Sequence, residues 1–394
     1  MYKITFFRPL YLVIALPLLL IIACGDGEAE TQQGFDVGSE LVTEAEFPAV
    51  FTFTPDGRLF YNELLTGNVR VITADGDLLE EPFAHVDLAL QGPGSGLLGL
   101  AIDPEFESNH YVYIYFTAPT EGSLRPIIMR FTDVDNRGED PTVILDDLHE
   151  HDPGLVRHVG GNVHFGPDGY LYVTIGEMDD MGSSQDLSSA RGKILRVKTD
   201  GDAVPDNPFV DQPGADPRVF AYGMRNSFDF TFHPQTGQIY ANENGDASCD
   251  ELNLVVKGGN YGWPQSSEPP PLDGLPVCQN AGANEAIHYF LRPPEFAEEG
   301  RSAALRPAHV FSTVAPTGVE FISRSVYPTL GDSLLICEFN TGFMRRYWLE
   351  GPDQDIVQDG SIVLRDCNLD IVLDSEGIVY YSNAEEIRRL RPAE

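Results

Sequence analysis

The feature of this sequence that most constrains its fold is a short cassette that recurs six times. Each copy has an apolar residue, a tight turn that usually carries Pro, Asp or Gly, and a strand of alternating β-branched or aromatic residues. Such turns suit hairpins, and such strands suit a half-buried sheet. The copies are FTPDGRLFYNE at 53–63, IDPEFESNHYVYIYFT at 102–117, FGPDGYLYVTIGE at 165–177, FHPQTGQIYANENG at 232–245, YPTLGDSLLICEFNTG at 327–342 and LDSEGIVYYSNAEEI at 373–387.

The copies lie roughly 45 to 95 residues apart, and a further strand often follows each one. Six such units at this spacing predict an all-β, six-bladed β-propeller over residues 46–394. Two packed β-sandwiches are the alternative, although a sandwich does not require six similar cassettes.

The N-terminus is typical of an exported chain. A short basic start and an apolar run lead to Ile21-Ile22-Ala23-Cys24. This ending predicts a lipoprotein signal peptide over 1–24 with lipid on Cys24 and membrane anchoring; a plain signal peptide with an incidental cysteine is the alternative. Residues 25–45 are acidic and poor in large apolar residues, so they are predicted to form a flexible tether.

Charge limits the partners. The chain has 25 basic and 61 acidic side chains and a net charge of −36. Nucleic acid and anionic membranes are therefore poor partners, and contact with a membrane is expected only through the lipid anchor.

Four cysteines remain after Cys24, an even number in a chain predicted to be exported, which favours disulfides. Of the three possible connectivities, short loop closure favours the local pairs Cys249–Cys278 and Cys337–Cys367.

Four carboxylates follow strands at equivalent points of the cassettes: Glu63, Glu177, Glu243 and Glu338. They could converge near the propeller axis, where they would need solvent, protons or a cation, or they could be exposed turn residues.

The region 218–264 is densest in chemically useful side chains. Arg225 offers a planar fork of donors beside Asn226. An oxygen-rich loop follows, suited to a hard cation such as calcium, with the candidate metal ligands and a neighbouring polar residue at Asn244, Gly245, Asp246, Asp250 and Glu251.

Several segments resemble the soluble PQQ-dependent sugar dehydrogenases, the glucose/sorbosone dehydrogenase family. They cover most of 46–392 in family order: GLLGLAIDPEFESNHYVYIYFT (96–117), HVGGNVHFGPDGYLYVTIGE (158–177), GKILRVKTDG (192–201), AYGMRNSFDFTF (221–232), DELNLVVKGGNYGWP (250–264) and APTGVEFI (315–322).

The resemblance implies a six-bladed propeller that oxidises the anomeric hydroxyl of an aldose to a lactone, using PQQ held over calcium and passing electrons to a respiratory acceptor. His158 matches the family's base, and Glu177 stands where the family usually has an aspartate. Arg225 and Asn226 match the cofactor-contacting pair, with Arg225 also a candidate catalytic residue. The further matches are Asn244 for cofactor contact and the backbone carbonyls of Gly245 and Asp246 for calcium.

The chain departs from the family where PQQ carboxylates would need cations. Asn340 stands where a lysine is expected, and Cys367 and Leu369 stand where arginines are expected. Arg365, two residues away, is a candidate substitute. A Cys337–Cys367 disulfide here would replace part of a cofactor cradle with a structural link.

Three hypotheses follow from these observations. The first is an exported, lipid-anchored PQQ- and calcium-dependent aldose dehydrogenase. The second is a propeller without PQQ that acts as a calcium-dependent lactonase or hydrolase through converging carboxylates. The third is a non-catalytic module that binds a sugar or another partner.

Overall fold

The computed structural model describes residues 35, 37–90, 94–120, 123–148, 157–245, 250–264, 288–290, 314–351, 354 and 356–392. Within them the chain is almost entirely β. The first twelve strands are β1 Gly38–Glu44, β2 Pro48–Phe53, β3 Leu59–Glu63, β4 Asn68–Ile72, β5 Ala84–His85, β6 Leu97–Ile102, β7 Tyr111–Thr120, β8 Ser123–Val134, β9 Arg137–Leu145, β10 Gly160–Phe165, β11 Leu171–Ile175 and β12 Lys193–Val197.

The later strands are β13 Val219–Tyr222, β14 Phe230–Phe232, β15 Ile239–Glu243, β16 Asp250–Val255, β17 His288–Phe290, β18 Pro316–Ile322, β19 Ser333–Glu338, β20 Phe343–Glu350, β21 Ile356–Arg365, β22 Ile371–Leu373, β23 Val379–Ser382 and β24 Glu386–Arg391. Two short helices accompany them, α1 Phe106–Asn109 and a 3₁₀ helix Met181–Gln185. No helix in the described part of the chain is long and apolar enough to cross a membrane.

The strands form six antiparallel four-stranded sheets, which are the blades of a six-bladed β-propeller. The first strands of the blades, β2, β6, β10, β14, β18 and β22, contact one another in a closed ring around the axis. Each predicted cassette supplies the hairpin between the first and second strands of one blade, so the predicted fold is confirmed.

Buried apolar side chains fill the space between neighbouring blades. One cluster joins β10–β13 to β14–β17 through Ile194, Phe220 and Phe230. Another joins the last blade to the first through Phe51, Tyr61 and Ile387. This packing makes the blades rigid supports for the loops at either end of the axis.

The antiparallel register places functional loops at one end of the propeller, which we call the upper face. The first strand of each blade begins there: Gly160 at the start of β10 pairs with Ile175 at the end of β11. The segment before β10, the β11–β12 connection and the β13–β14 connection therefore lie at the same end. His158, Glu177 and Arg225 belong to these three segments.

The axial channel holds a cavity of about 340 Å³. Its lining includes His164 and Phe165, the last residues of β10, so it lies toward the other end of the strand from His158. The Nε2 atom of His164 is 2.9 Å from Asp229 Oδ1.

The predicted tether over 25–45 is wrong for residues 38–44. This segment is strand β1, which pairs with β24 as the outermost strand of the last blade. Glu40 lies 2.9 Å from Arg389, and Val42 packs with the cluster between the last and first blades. The acidic side chain of Glu40 thus pairs with a basic side chain of β24 instead of serving only to keep a tether in solvent. The lipobox, Cys24 and residues 25–34 lie outside the described residues.

Candidate active site

His158 occupies a strained backbone position directly before β10. Its φ is +58°, a left-handed conformation that few residues with a β-carbon adopt. Neighbouring glycines make the position possible: a β-carbon on Gly176 would lie 1.8 Å from the His158 carbonyl oxygen. The same carbonyl accepts a hydrogen bond from Met178 N at 3.1 Å. The glycines therefore allow the β11 end to press against the backbone that carries the imidazole.

Glu177 contacts one side of this imidazole. His158 Nδ1 and Glu177 Oε1 form a hydrogen bond, and the side chains are 13% and 2% exposed respectively. Glu177 is fixed from its backbone as well, because its N–H donates to the Arg225 carbonyl at 2.7 Å. Its second oxygen, Oε2, is buried and has no hydrogen-bond partner. The pairing predicted for a base and its carboxylate is thus present in the geometry.

Arg225 contacts the opposite side of the ring, with Nη2 2.7 Å from His158 Nε2. A guanidinium can only donate, so Nε2 is the accepting nitrogen of a neutral imidazole. The ring proton then lies on Nδ1 and is donated to Glu177. The two partners together assign the tautomer and orient the ring.

Arg225 is held by the next blade. Its Nη1 donates to the carbonyls of Asn244 and Gly245 at 2.9 and 2.7 Å. Its Cζ lies 5.4 Å from the centre of the Trp263 ring, within the range of a cation–π contact. The site is therefore assembled across the junction of the blades β10–β13 and β14–β17.

Glu243 and Asn226 complete this junction. The backbone N–H groups of Arg225 and Asn226 both donate to Glu243 Oε1. Burial raises the pKa of Glu243 to about 8. The Asn226 side chain accepts a hydrogen bond from Gly160 N at 3.0 Å, which links it to the start of β10.

The described part of the predicted calcium loop has other contacts. Asp250 accepts hydrogen bonds from the N–H groups of Gly245 and Ala315 at 2.9 and 2.8 Å, and burial raises its pKa to about 7. The Gly245 carbonyl accepts from Arg225, and Glu251 accepts from Asn253 at 3.2 Å. Asp246 lies outside the described residues. The described oxygen atoms of this loop therefore accept hydrogen bonds from protein groups, and they do not by themselves form a calcium site.

Each of the four cassette carboxylates is bound by groups of the protein itself. All four are buried, so they are not exposed turn residues. Glu63 is bound by Thr66, Asn68 and Arg70 of its own blade, and Glu338 by Arg345 and Thr341 of its blade. Each of these two carboxylates is satisfied locally, which explains why the equivalent positions need not share a cation.

The positions expected to supply cations to PQQ do not supply them. Cys367 is buried and joined to Cys337 by a disulfide with the Cα atoms 5.2 Å apart, and Leu369 is 2% exposed. Asn340 is exposed on the β19–β20 turn. Arg365 is exposed at the end of β21, where its guanidinium stacks 4.6 Å from the Phe343 ring centre. The Cys249–Cys278 pair lies outside the described residues.

Asp179 and its partner Arg157 lie beside His158, and neither was among the predicted site residues. Asp179 Oδ1 lies 3.7 Å from His158 Nδ1 and 2.8 Å from Arg157 Nη2. Both Met178 and Asp179 have positive φ, +53° and +62°, which turns the chain sharply after Glu177. The run Glu177-Met178-Asp179-Asp180 was the available signal, because it is acidic and directly follows the cassette that ends at Glu177.

Comparison with known proteins agrees with the fold. The model of the family described as glucose/sorbosone dehydrogenase matches residues 45–390. The aldose sugar dehydrogenase of Escherichia coli is 27% identical over 263 residues, covering 64% of this chain and 70% of that protein. Quinoprotein glucose dehydrogenase B of Acinetobacter calcoaceticus is 29% identical over 277 residues, covering 63% of this chain and 56% of that protein.

A solved structure named glucose dehydrogenase is 26% identical and has a TM-score of 0.75, covering 89% of this chain and 99% of that one. The family match includes strands of all six blades, though not β1, and all three segments that carry the His158 site. The chain therefore belongs to the glucose/sorbosone dehydrogenase family.

Proposed function

We propose that this protein oxidises the anomeric hydroxyl of an aldose, with His158 as the base. The observation that carries the proposal is the buried series of contacts Glu177–His158–Arg225 at the upper face. His158 Nε2 carries the accepting lone pair, so it would receive the hydroxyl proton once the sugar hydroxyl replaces the Arg225 N–H that now donates to it. Glu177 would stabilise the resulting imidazolium at Nδ1, and Arg225 would hold developing negative charge on the sugar oxygen.

The residues present fit the quinone end of PQQ. Arg225, Asn226 and Asn244 would hold it, and two buried polar atoms in this region, Asn244 Oδ1 and Trp263 Nε1, have no hydrogen-bond partner. When bound, PQQ would supply the acceptor for the sugar's hydride.

Fewer cations are available for the PQQ carboxylates, because Cys367 and Leu369 are buried apolar residues and Asn340 is neutral. Loss of a charged partner in a desolvated site costs on the order of 2–5 kcal/mol. We therefore expect this chain to bind PQQ more weakly than relatives that carry the lysine and arginines.

Other parts of the functional hypothesis stay predictions. They are a calcium requirement, export with a lipid on Cys24, and electron transfer to a respiratory acceptor. The described oxygen atoms of the predicted calcium loop take no part in the proton transfer proposed above.

A non-catalytic binding module is the second candidate function. It is favoured by one observation, the buried disulfide and leucine at the positions expected to bind cofactor. A lactonase that uses converging carboxylates has no such support, since Glu63 and Glu338 are satisfied within their own blades.

The decisive experiment titrates the purified protein with PQQ in the presence of calcium and follows the cofactor's absorbance. An aldose panel with a dye acceptor then measures turnover. We expect saturable PQQ binding and aldose-dependent dye reduction, and we expect His158→Gln to lower kcat by about 10²- to 10⁴-fold because the general base is lost.

His164→Gln is the matched control. His164 lies in β10, toward the opposite end of that strand from His158, and its imidazole also contacts a carboxylate. It should retain turnover. Turnover that survives in His158→Gln would refute the assignment of the base, and failure to bind PQQ at micromolar concentration would favour the binding module.

A further inference from the structure

A group of three side chains around His158 has the composition of a metal site. His158, Glu177 and Asp179 each offer one ligand atom, and these atoms all lie within 4.8 Å of one another. It is the one group of three or more such side chains found among the residues that the structure describes. The set combines an imidazole nitrogen with two carboxylates, which suits a borderline dication such as zinc.

A second observation points to a ligand at this group. Glu177 is 1% exposed, and its Oε2 atom is buried without a hydrogen-bond partner. A buried carboxylate oxygen without a partner is costly, and a bound cation is one way to satisfy it. The hydrogen bond of the other oxygen to His158 keeps the carboxylate beside the imidazole.

We propose that His158 Nδ1, Glu177 and Asp179 form a zinc site. The distance from His158 Nδ1 to Asp179 Oδ1 is 3.7 Å. Two ligands bonded to a tetrahedral zinc at about 2.1 Å would lie about 3.4 Å apart, so this pair is almost in place. Asp179 is exposed, which leaves a side of the ion open to water. Zinc takes the place of the Nδ1 proton, which is released to solvent.

Arg157 competes with zinc for Asp179. Its Nη2 lies 2.8 Å from Asp179 Oδ1, and its side chain is 54% exposed. An exposed ion pair of this kind contributes little free energy, so a dication can displace it. Removing the guanidinium should therefore strengthen zinc binding, whereas removing the Asp179 charge should weaken it.

Zinc on Nδ1 would leave Nε2 unbound, but the dication would lower the basicity of Nε2 and would take Glu177 away from the imidazolium that it is proposed to stabilise. This consequence rests on the proposed function: zinc is expected to inhibit sugar oxidation reversibly, with a chelator restoring it. Binding itself does not depend on that function and can be measured without PQQ or sugar.

The test uses the untagged, full-length protein, free of PQQ. Cobalt(II) serves as the spectroscopic probe, since a site of this kind gives visible d–d absorption, and zinc affinity is measured by competition with a chromophoric chelator. We expect one metal per chain, at least tenfold weaker binding in Asp179→Asn, and tighter binding in Arg157→Met.

Asp180→Asn is the matched control, because Asp180 lies on the same loop and pairs with Arg191 instead. It should bind zinc like the unmodified chain. The proposal is overturned if cobalt gives no visible band, or if Asp179→Asn binds zinc as tightly as Asp180→Asn does. Neither result bears on aldose oxidation, so failure of the zinc site and failure of the proposed function are distinguishable.

Discussion

At the scale of single residues, the backbone of His158 shows how an unfavourable conformation is held in place. A non-glycine residue at positive φ costs on the order of 1–3 kcal/mol and persists when its surroundings fix it. Here Glu177 and Arg225 hold the two ring nitrogens, and the β-carbon-free Gly176 accommodates the backbone. The surroundings that offset this strain are the same ones that orient the imidazole.

Glu243 makes a residue-scale prediction about pH. Its ordinary pKa is 4.5, and burial raises it to about 8, so between these values the folded protein holds a proton that the unfolded chain releases. Stability contributed by this group is therefore complete below pH 4.5 and is lost as the pH rises to about 8. Glu243→Gln has no proton to lose and should escape this loss.

Urea unfolding at pH 5 and pH 8.5 measures the effect. The free energy of unfolding of Glu243→Gln, relative to the unmodified protein, should rise by on the order of 2–4 kcal/mol between the two pH values. Because both proteins share the other buried carboxylates, the difference isolates Glu243. An equal pH dependence in the two proteins would show that Glu243 is ionised when folded.

At the scale of elements, the Cys337–Cys367 disulfide joins the end of β19 to the loop that follows β21. Asn368 Nδ2 donates to the Phe339 carbonyl at 2.8 Å, so the two loops are linked twice. The covalent link also closes a 30-residue stretch that contains β20 and β21. The upper rim of this blade is thus stabilised by a disulfide at the positions where cations were expected.

Replacing both cysteines with alanine should lower the free energy of unfolding by about 2–4 kcal/mol, because the unfolded chain regains the entropy of the closed loop. Urea unfolding measures this loss. Alkylation of the denatured, unreduced protein followed by peptide mapping checks the pairing. In the protein without substitutions, Cys337 and Cys367 should not be alkylated. Alkylation of either cysteine would contradict the disulfide.

The elements that sequence predicted are those whose signals are local. Each cassette contains its own turn and both flanking strand segments, so the six hairpins could be recognised from adjacent residues. The contact of His158 with Glu177 followed from family resemblance, whereas Asp179 was missed because two consecutive left-handed residues, Met178 and Asp179, turn it back toward the ring. Strand β1 was missed because its partner lies more than 340 residues away, and no neighbouring residue signals the pairing.

At the scale of the whole molecule, β1 completes the last blade. Without it, β24 would present an unpaired edge, and Arg389 would lose Glu40. An exposed strand edge invites pairing between chains. The N-terminal strand therefore stabilises the last blade and shields it from association.

A variant that lacks residues 1–44 should have a lower Tm and should form oligomers at high concentration, because it exposes the edge of β24. A variant that lacks residues 1–36 retains β1 and is the control. Thermal unfolding and light scattering measure the two effects. Equal Tm values and the same oligomeric state for the two variants would contradict the role assigned to β1.

The pairing of β1 with β24 also affects the order in which the blades can form during synthesis. β1 is synthesised early, whereas its partner β24 is synthesised near the end of the chain. Pairing them closes a very long loop, which is slow. Five blades can form in sequence as they appear, but the sixth is finished only when the two ends of the chain meet. Protection of β24 amides during refolding should consequently be among the latest to develop. A protein interrupted before residue 386 cannot complete its last blade, because β1 then has no β24 to pair with.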